Sequence, residues 1–470
     1  QGPRQAALHY FGKELDQLSL AESALLAGIP QAPTRHNPRR NPIGSKKRRD
    51  WVLDRMAIVY QIPQEKIIRA KAEPIQLIPR GSGKYSPQLA RMVLPHRTLG
   101  KPTITTTIDT KLQASSKAIL SKEIEMLKEQ HVHNGAVVIL DNRTREVLAL
   151  VGSANLQGDS GGQFNAALIP RSPGSALKPF TYLLAFEKLG YSPATIIPDI
   201  PTSYAGIRGA EAFVNYDRTY RGPVTIHQAL GSSLNVPAVR VLNKLGGSSS
   251  LHDLLENVGI RSLAKPAKHY GLGLTLGSGE VSLLEATNAF ATISQLGRHQ
   301  PYRVILDSKS SRPKQVFSPE SAFLTASIMT DNQARSASFG VQSQLRLPFP
   351  CAVKTGTSSD FRDNFCIGFT ADYTVGVWVG NLNNQPMRGI SGVTGAGPVF
   401  HKVMSHLHEA KPARWLTKPT SIVEVTVDPH TGKSIPSEHS RSSISISTFA
   451  HKDRCPKEYS ASDYDDAGKV

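Results

Sequence analysis

Cysteine is scarce in this chain of 470 residues, which holds only Cys351, Cys366 and Cys455. An odd, widely spaced set is no disulfide framework. Cys351 and Cys366 fall in apolar stretches and read as small buried hydrophobes rather than reactive thiols. Long apolar runs are also missing. Nothing approaches the roughly 18 residues that a membrane-spanning helix needs, and no secretory signal is visible. The sequence has no H-E-x-x-H and no C-x-x-C, so the close pairs His131/His133 and His406/His408 do not read as metal ligands. No metal and no cofactor is expected, and no internal repeat is found. Acidic residues are outnumbered, 37 against 55 Lys and Arg, which leaves a net charge of +18 and a pI near 9.8. That balance favours an anionic partner such as nucleic acid, an acidic membrane face or an anionic polymer, or it is simply a basic surface. Charge alone does not choose.

Hydrophobic residues make up 39% of the chain, enough for a sizeable core. The length predicts more than one domain. Near the start, Ser19-Leu20-Ala21-Glu22 is a capping box heading a short apolar helix that Gly28 and Pro30 stop. A connector rich in Pro, Asn, Arg and Lys follows over 34–49. Its basic run, 46–49, suits anionic headgroups or a solvated face. A second helical stretch covers 51–60. From about 103 the texture changes. Residues 135–141 and 147–152 read as antiparallel strands joined by a turn, and 180–189 as an apolar helix. Ser282-Leu283-Leu284-Glu285 is another capping box, and Ser318-Pro319 an N-cap followed by proline. Strand-like segments occupy 351–357, 364–370 and 373–380. Val399, Phe400, Val403, Met404 and Leu407 then recur at helical spacing. Strands, helices, strands and a closing helix predict an α+β fold, an antiparallel sheet covered by helices. Beyond about 418 the chain turns polar and Ser-rich, like a tail or the start of another module.

Three short patterns carry chemistry together. In Arg171-Ser172-Pro173-Gly174-Ser175-Ala176-Leu177-Lys178, a helix starting near Ser175 puts Lys178 one turn on, on the same face. A neutral amine there can take the hydroxyl proton and make Ser175 a nucleophile, while the helix N-terminus favours a developing oxyanion. Ser233-Leu234-Asn235 offers a hydroxyl that can relay protons and an amide that can hold a peptide bond. Lys354-Thr355-Gly356-Thr357, on a predicted strand, offers a cation, two hydroxyls and a glycine that lets a substrate backbone approach. Ser311-Arg312-Pro313-Lys314 also reads S-x-x-K, but Pro313 argues for a loop. Ser153-Ala154-Asn155 also reads S-x-N, but it precedes any serine–lysine pair. Only the ordered trio sits in the context its chemistry needs: serine before an apolar helix, K-T-G on a strand. Asp360, Arg362 and Asp363, just beyond, read as an ion cluster rather than substrate ligands.

On RSPGSALKPF, GPVTIHQALGSSLNVPAVR, GLGLTLGSGEVSLLEATNAFATI, VKTGTSSDFRDNFCIGFT and PMRGISGVTGAGPVF, the sequence resembles class A penicillin-binding proteins, most closely their 1C-type branch. The N-terminal stretch AALHYFGKELDQLSLAESALLAGIPQAPTRHNP resembles the last part of that family's glycosyltransferase domain. The family's catalytic-glutamate motif of E-D-x-x-F type is absent, and Glu14 and Glu22 are not promoted in its place. The resemblance implies a glycosyltransferase remnant over 1–60, a linker over 61–104, a penicillin-binding transpeptidase domain over 105–412 and a polar tail over 413–470 that begins a C-terminal module.

It also implies a DD-transpeptidase that crosslinks stem peptides ending in D-Ala-D-Ala. Ser175 would be the nucleophile, Lys178 the base and Ser233 the proton relay. Asn235 would orient the substrate amide, and Lys354, Thr355, Gly356 and Thr357 would bind its carboxylate end. The N–H groups of Ser175 and Thr357 would form the oxyanion hole. β-Lactams are implied as covalent inhibitors and a lipid-linked disaccharide as substrate of the missing domain, with no nucleic acid. The expected location is the periplasmic face of the inner membrane, held by an anchor outside this chain. A DD-carboxypeptidase uses the same residues and remains open, as do a serine β-lactamase, which shares the trio but needs an additional base that nothing in the sequence points to, and a β-lactam or wall-peptide sensor with a vestigial site.

Overall fold

A computed structural model describes residues 2–78, 87–96, 103–155, 164–206, 209–308, 310–435 and 445–458. The chain divides into two compact units, Gln1–Tyr85 and Ser86–Val470.

The first unit is helical. Ser19 accepts from the Glu22 N–H, and the Glu22 carboxylate returns the bond to the Ser19 N–H, so the predicted capping box starts the helix Leu20–Gly28. That helix packs with Pro42–Tyr60 around Ala21, Ala24 and Leu53. The sequence reading placed a linker over 61–104. The structure corrects it: Gln64–Ala72 is a helix of this unit, because Ile67 and Ala70, three apart on one face, are buried against the same core.

The second unit is built on a five-stranded antiparallel sheet. Its strands are β1 (Asn134–Asp141), β2 (Val147–Val151), β3 (Ala352–Thr357), β4 (Asp363–Phe369) and β5 (Tyr373–Gly380), in spatial order β2-β1-β5-β4-β3. Alternation along β1 sorts its side chains between two helical layers. Ala136, Val138 and Leu140 join one core with Phe180 and Leu183 of the helix Lys178–Lys188 and Phe290 of Leu283–Ser294. Val137 and Ile139 join the other, with Leu120 and Ile124 of Thr110–Met126 and Val399, Phe400 and Val403 of Ala396–Leu407. Each such buried aliphatic or aromatic side chain contributes roughly 1.5–3 kcal/mol. The predicted sheet-and-helix class is therefore the observed one. The second predicted capping box is only half made. Ser282 accepts from the Glu285 N–H, but the Glu285 carboxylate turns instead to Ser262. In the tail, Ile422–Val427 and Ile446–His451 pair as an antiparallel ribbon, and Phe449 packs edge-on against Phe323.

The topology leaves β3 at an edge of the sheet, beside the 3-10 turn Gly174–Leu177 that leads into the helix Lys178–Lys188. That edge carries the site.

Candidate active site

Ser175 lies in a short 3-10 turn, Gly174–Leu177, that runs directly into the helix beginning at Lys178. Gly174 starts it at φ +52°, and a Cβ there would lie 2.5–2.8 Å from the backbone of Thr357. Only glycine meets both demands. The turn is tied down from outside. Arg171 bridges to Val281, the Ser172 hydroxyl donates to Gly277 O at 2.8 Å, and the Arg171 guanidinium donates to Leu382 O at 2.8 Å and lies over the Trp378 ring.

Lys178 is fully buried. Its Nζ donates to Asn235 Oδ1 at 2.6 Å, to the Ser233 carbonyl oxygen, and to Ser233 Oγ at 3.4 Å. Burial pushes this amine well below the ordinary lysine range, and the charge of Lys354 adds to the effect. A group held this way can be neutral near neutral pH and can accept a proton. Among the described residues the Ser175 hydroxyl makes no hydrogen bond, so it is unspoken for at the start of the helix.

Lys354, only 4% exposed, enters from β3. Its Nζ donates to Ser233 Oγ at 2.8 Å and to Thr355 O at 2.8 Å. Burial lowers its pKa to about 7. Ser233 Oγ is thus shared between two lysines. Ser233 adopts φ +59°, a left-handed conformation uncommon for a non-glycine residue, which ends one helix and aims its hydroxyl between the two amines. Asn235 begins the helix Asn235–Lys244, and its Nδ2 donates to Val214 O at 2.8 Å.

Three segments distant in sequence therefore bring Lys178, Ser233, Asn235 and Lys354 into one hydrogen-bonded cluster, with Ser175 one turn before Lys178 on the same segment. Thr355 and Thr357 lie on the other side of the β3 pleat, by the 391–395 loop, where the Gly392 N–H donates to Thr357 Oγ1 at 2.9 Å. Gly356 proves more restricted than its predicted role of admitting a substrate backbone. The space a side chain would take there is already filled by the Pro173 carbonyl.

Of the three charges read as an ion cluster, Asp360 and Arg362 pair, and Asp363 lies apart from them. Asp360 and Arg362 are an exposed pair at 3.5 Å. Asp363 is buried, accepts from Trp378 Nε1 at 2.9 Å, and has its pKa raised by burial. The decoy Ser153 hydroxyl donates to Asn155 O at 2.9 Å, and the Lys117 amine meets the Ser153 carbonyl oxygen, at 2.6 Å, rather than the hydroxyl. Ser311 lies in an exposed loop. Among the described residues no cluster of His, Cys, Asp and Glu could hold a metal ion, and no helix is long and apolar enough to cross a membrane.

Sequence reasoning missed the segment beside Asn235. Asn215 accepts from the Asn235 N–H at 2.8 Å, and Tyr216 meets Phe361, just beyond β3, edge to face at 6.4 Å between centroids. The polar turn before Gly222 was the sole sequence signal there.

Residues 135–405 match the family described as the penicillin binding protein transpeptidase domain, and residues 1–57 match the transglycosylase family. Among curated proteins, penicillin-binding protein 1C of Escherichia coli is 33% identical over 86% of this chain and 51% of its own length. Penicillin-binding protein 1B of the same organism is 29% identical over 90% of this chain and 52% of its own length. The chain thus spans about half the length of these relatives. In structure, penicillin-binding protein 1A of Haemophilus influenzae shares the fold with a TM-score of 0.75 at 21% identity, over 97% of this chain and 89% of that one. The PonA1 protein of Mycobacterium tuberculosis, solved in complex with penicillin V, matches with a TM-score of 0.60 at 22% identity, over 71% of this chain and 94% of that one.

Proposed function

The chain belongs to the penicillin-binding protein transpeptidase family, and from that premise we propose that it is a serine DD-transpeptidase that crosslinks cell-wall stem peptides through a Ser175 acyl-enzyme. The observation that carries the reading is the buried pair of lysines converging on Ser233 Oγ, one beside the nucleophile and one on the strand edge.

In the first half-reaction Lys178, neutral, takes the Ser175 proton. Ser175 Oγ attacks the carbonyl carbon of the penultimate D-Ala. The oxyanion is held by the N–H groups of Ser175 and Thr357, preorganised at a helix start and a strand edge. The C–N bond breaks, the proton passes from Lys178 through Ser233 to the departing D-Ala amine, and an ester remains. In the second half-reaction an acceptor amine attacks that ester. Its proton returns through the same groups to Ser175 Oγ, and a new amide forms. Asn235 holds the amide preceding the scissile bond. Thr355 and Thr357, on one face of the strand edge, take the terminal carboxylate, and Lys354 supplies positive charge from the opposite face. Gly356 shapes the strand so that the serine turn can lie against it.

A β-lactam presents a strained amide beside a carboxylate and enters by the same contacts. Its opened ring stays tethered to the acyl group and blocks the acceptor, so the ester persists. The substrate class, a periplasmic setting and membrane attachment through a segment outside the residues given follow from the same reading. Glycan polymerisation is not assigned to the residues present.

The test is labelling with a fluorescent penicillin followed by peptide mapping. The adduct is expected on the peptide holding Ser175, to persist for many minutes, and to vanish in Ser175→Ala. Label retained in that variant would point to another nucleophile, and rapid turnover to a β-lactamase.

A further inference from the structure

Two buried polar side chains outside the three motifs form a relay that ends on Asn235. Asp199 ends the short strand Ile196–Asp199 and is fully buried. Asn215 is 2% exposed. Its Nδ2 donates to both Asp199 oxygens, at 2.8 and 2.9 Å, and to Thr219 O at 2.8 Å. The Arg221 N–H adds a bond to Asp199 Oδ2 at 3.0 Å. Among the described residues no Lys or Arg side chain pairs with this carboxylate. Its oxygens are met instead by one amide side chain and one backbone N–H.

That arrangement decides which way the Asn215 amide faces. An asparagine side chain can present either end, but turned around, its oxygen would face the Asp199 oxygens. Nδ2 is therefore held toward Asp199, and Oδ1 points at the start of the helix Asn235–Lys244. There it accepts from the Asn235 N–H at 2.8 Å and the Val236 N–H at 3.3 Å. The helix has no cap of its own, since Leu234 stands at the cap position and makes no side-chain bond. Asn215 supplies from another segment what a local Ser or Asp would give. Next to it, Val214 O takes one hydrogen of Asn235 Nδ2, while Asn235 Oδ1 accepts from Lys178 Nζ. The second Nδ2 hydrogen is left for a substrate carbonyl.

We infer that Asp199 and Asn215 are a positioning pair for acylation: the buried carboxylate sets the Asn215 amide, and Asn215 anchors the helix start so that Asn235 is aimed at the acyl-peptide carbonyl and at Lys178. The inference rests on the transpeptidase reading and adds two residues that act through Asn235 rather than on the substrate.

The experiment measures acylation of the purified chain by benzylpenicillin under rapid mixing, with melting temperature alongside. Asn215→Ala is expected to lower the acylation efficiency about 10- to 100-fold, the range that misplacing a reacting group produces. Placed on top of Asn235→Ala, the same change should lower it less than about 2-fold further, because residues acting as one unit are not additive. The melting temperature should still fall in that background. A purely structural role would give the same loss of acylation in both backgrounds and would overturn the inference.

Should Asn215→Ala fail to fold, Asp199→Asn carries the test, with the exchange Asp199→Asn/Asn215→Asp beside it. In the exchange an amide at 199 donates to a carboxylate at 215, whose other oxygen still accepts from Asn235. Asp199→Asn alone should fall about 10-fold, and the exchange should recover about 3-fold of that, not all of it, because a carboxylate at 215 cannot donate to Thr219 O. An exchange no better than the single variant, or a single variant equal to wild type, overturns the inference alone. A wild-type chain that no penicillin acylates overturns the transpeptidase reading and this inference with it.

Discussion

A Cβ placed on Gly356 would stand 1.8 Å from the carbonyl oxygen of Pro173. The strand edge and the nucleophile turn are therefore in direct backbone contact, with Ala176 N 3.1 Å from the same point. Gly356→Ala must push the two apart, because both partners are main chain and neither can swing away. The expected results are destabilisation of about 1–3 kcal/mol, as for other overpacked sites, and a fall in acylation rate of about 100-fold from misplacement of Ser175. Thermal melts and penicillin acylation kinetics check both. A variant of wild-type stability and rate would show that the contact is not maintained in solution.

Lys178 and Ser233 share hydrogen bonds and, in the proposed mechanism, one proton route. Lys178→Ala and Ser233→Ala should each slow the acylation step by about 10²- to 10⁴-fold, the usual range for acid–base groups, while leaving noncovalent affinity nearly intact. The double variant should be little worse than the poorer single one, since members of a unit are not additive. Rapid-mixing kinetics that separate the affinity from the acylation step test this. A change confined to affinity would remove that residue from the proton route.

The two lysines make opposite demands on pH. In the free site Lys354 has a pKa of about 7, through burial, and its charge helps hold Lys178 below the ordinary lysine range. The proposed mechanism needs Lys354 protonated to attract a carboxylate and Lys178 neutral to accept a proton. The second-order acylation constant reports the free enzyme, so it should decline as pH rises through about 7. A bound carboxylate favours the Lys354 cation, so the rate at saturation should hold up to higher pH. In Lys354→Met the depressing charge on Lys178 is gone, its pKa rises, and the acidic limb should move to higher pH. Superimposable profiles at low and saturating β-lactam would contradict this division of labour.

What was legible in the sequence follows from how local each signal is. Ser175 and Lys178 lie within one turn, and Ser233 and Asn235 flank one residue, so order and context could find them. β5 is legible because Tyr373–Gly380 is a continuous apolar run bounded by a turn, and both its faces are covered. Gln64–Ala72 was lost as a linker because only Ile67 and Ala70 of its nine residues are buried, too few to show a period among charges. The half-made cap at Ser282 was misread because Glu285 has a tertiary partner, Ser262, that no spacing reveals. Asp199 and Asn215 escaped notice for the same reason. Their role exists only once the segments before the helix Asn235–Lys244 fold back onto its start.

The last prediction concerns the sheet rather than the site. Asp372 sits in the turn between β4 and β5, with its side chain 5% exposed. It accepts from Lys411 Nζ at 3.0 Å and from Arg414 Nη2 at 2.5 Å, which ties the segment after the helix Ala396–Leu407 to the sheet. Hydrogen bonds from Arg414 and Lys411, with their charges, outweigh burial and lower its pKa to about 2. The sign follows from proton binding. The folded carboxyl has a lower pKa than the unfolded one, near ~3.9, so the unfolded chain binds the proton more readily. The stabilisation is complete above the unfolded value and is lost as pH falls through about 2. With both cationic partners largely in solvent, a discounted figure of about 1–2 kcal/mol is appropriate. Asp372→Asn should therefore melt below wild type at pH 7, the gap should be narrower at 0.5 M salt, and it should close near pH 2. A gap that stays constant down to pH 2 would mean that Asp372 acts through packing and hydrogen-bond shape rather than through charge.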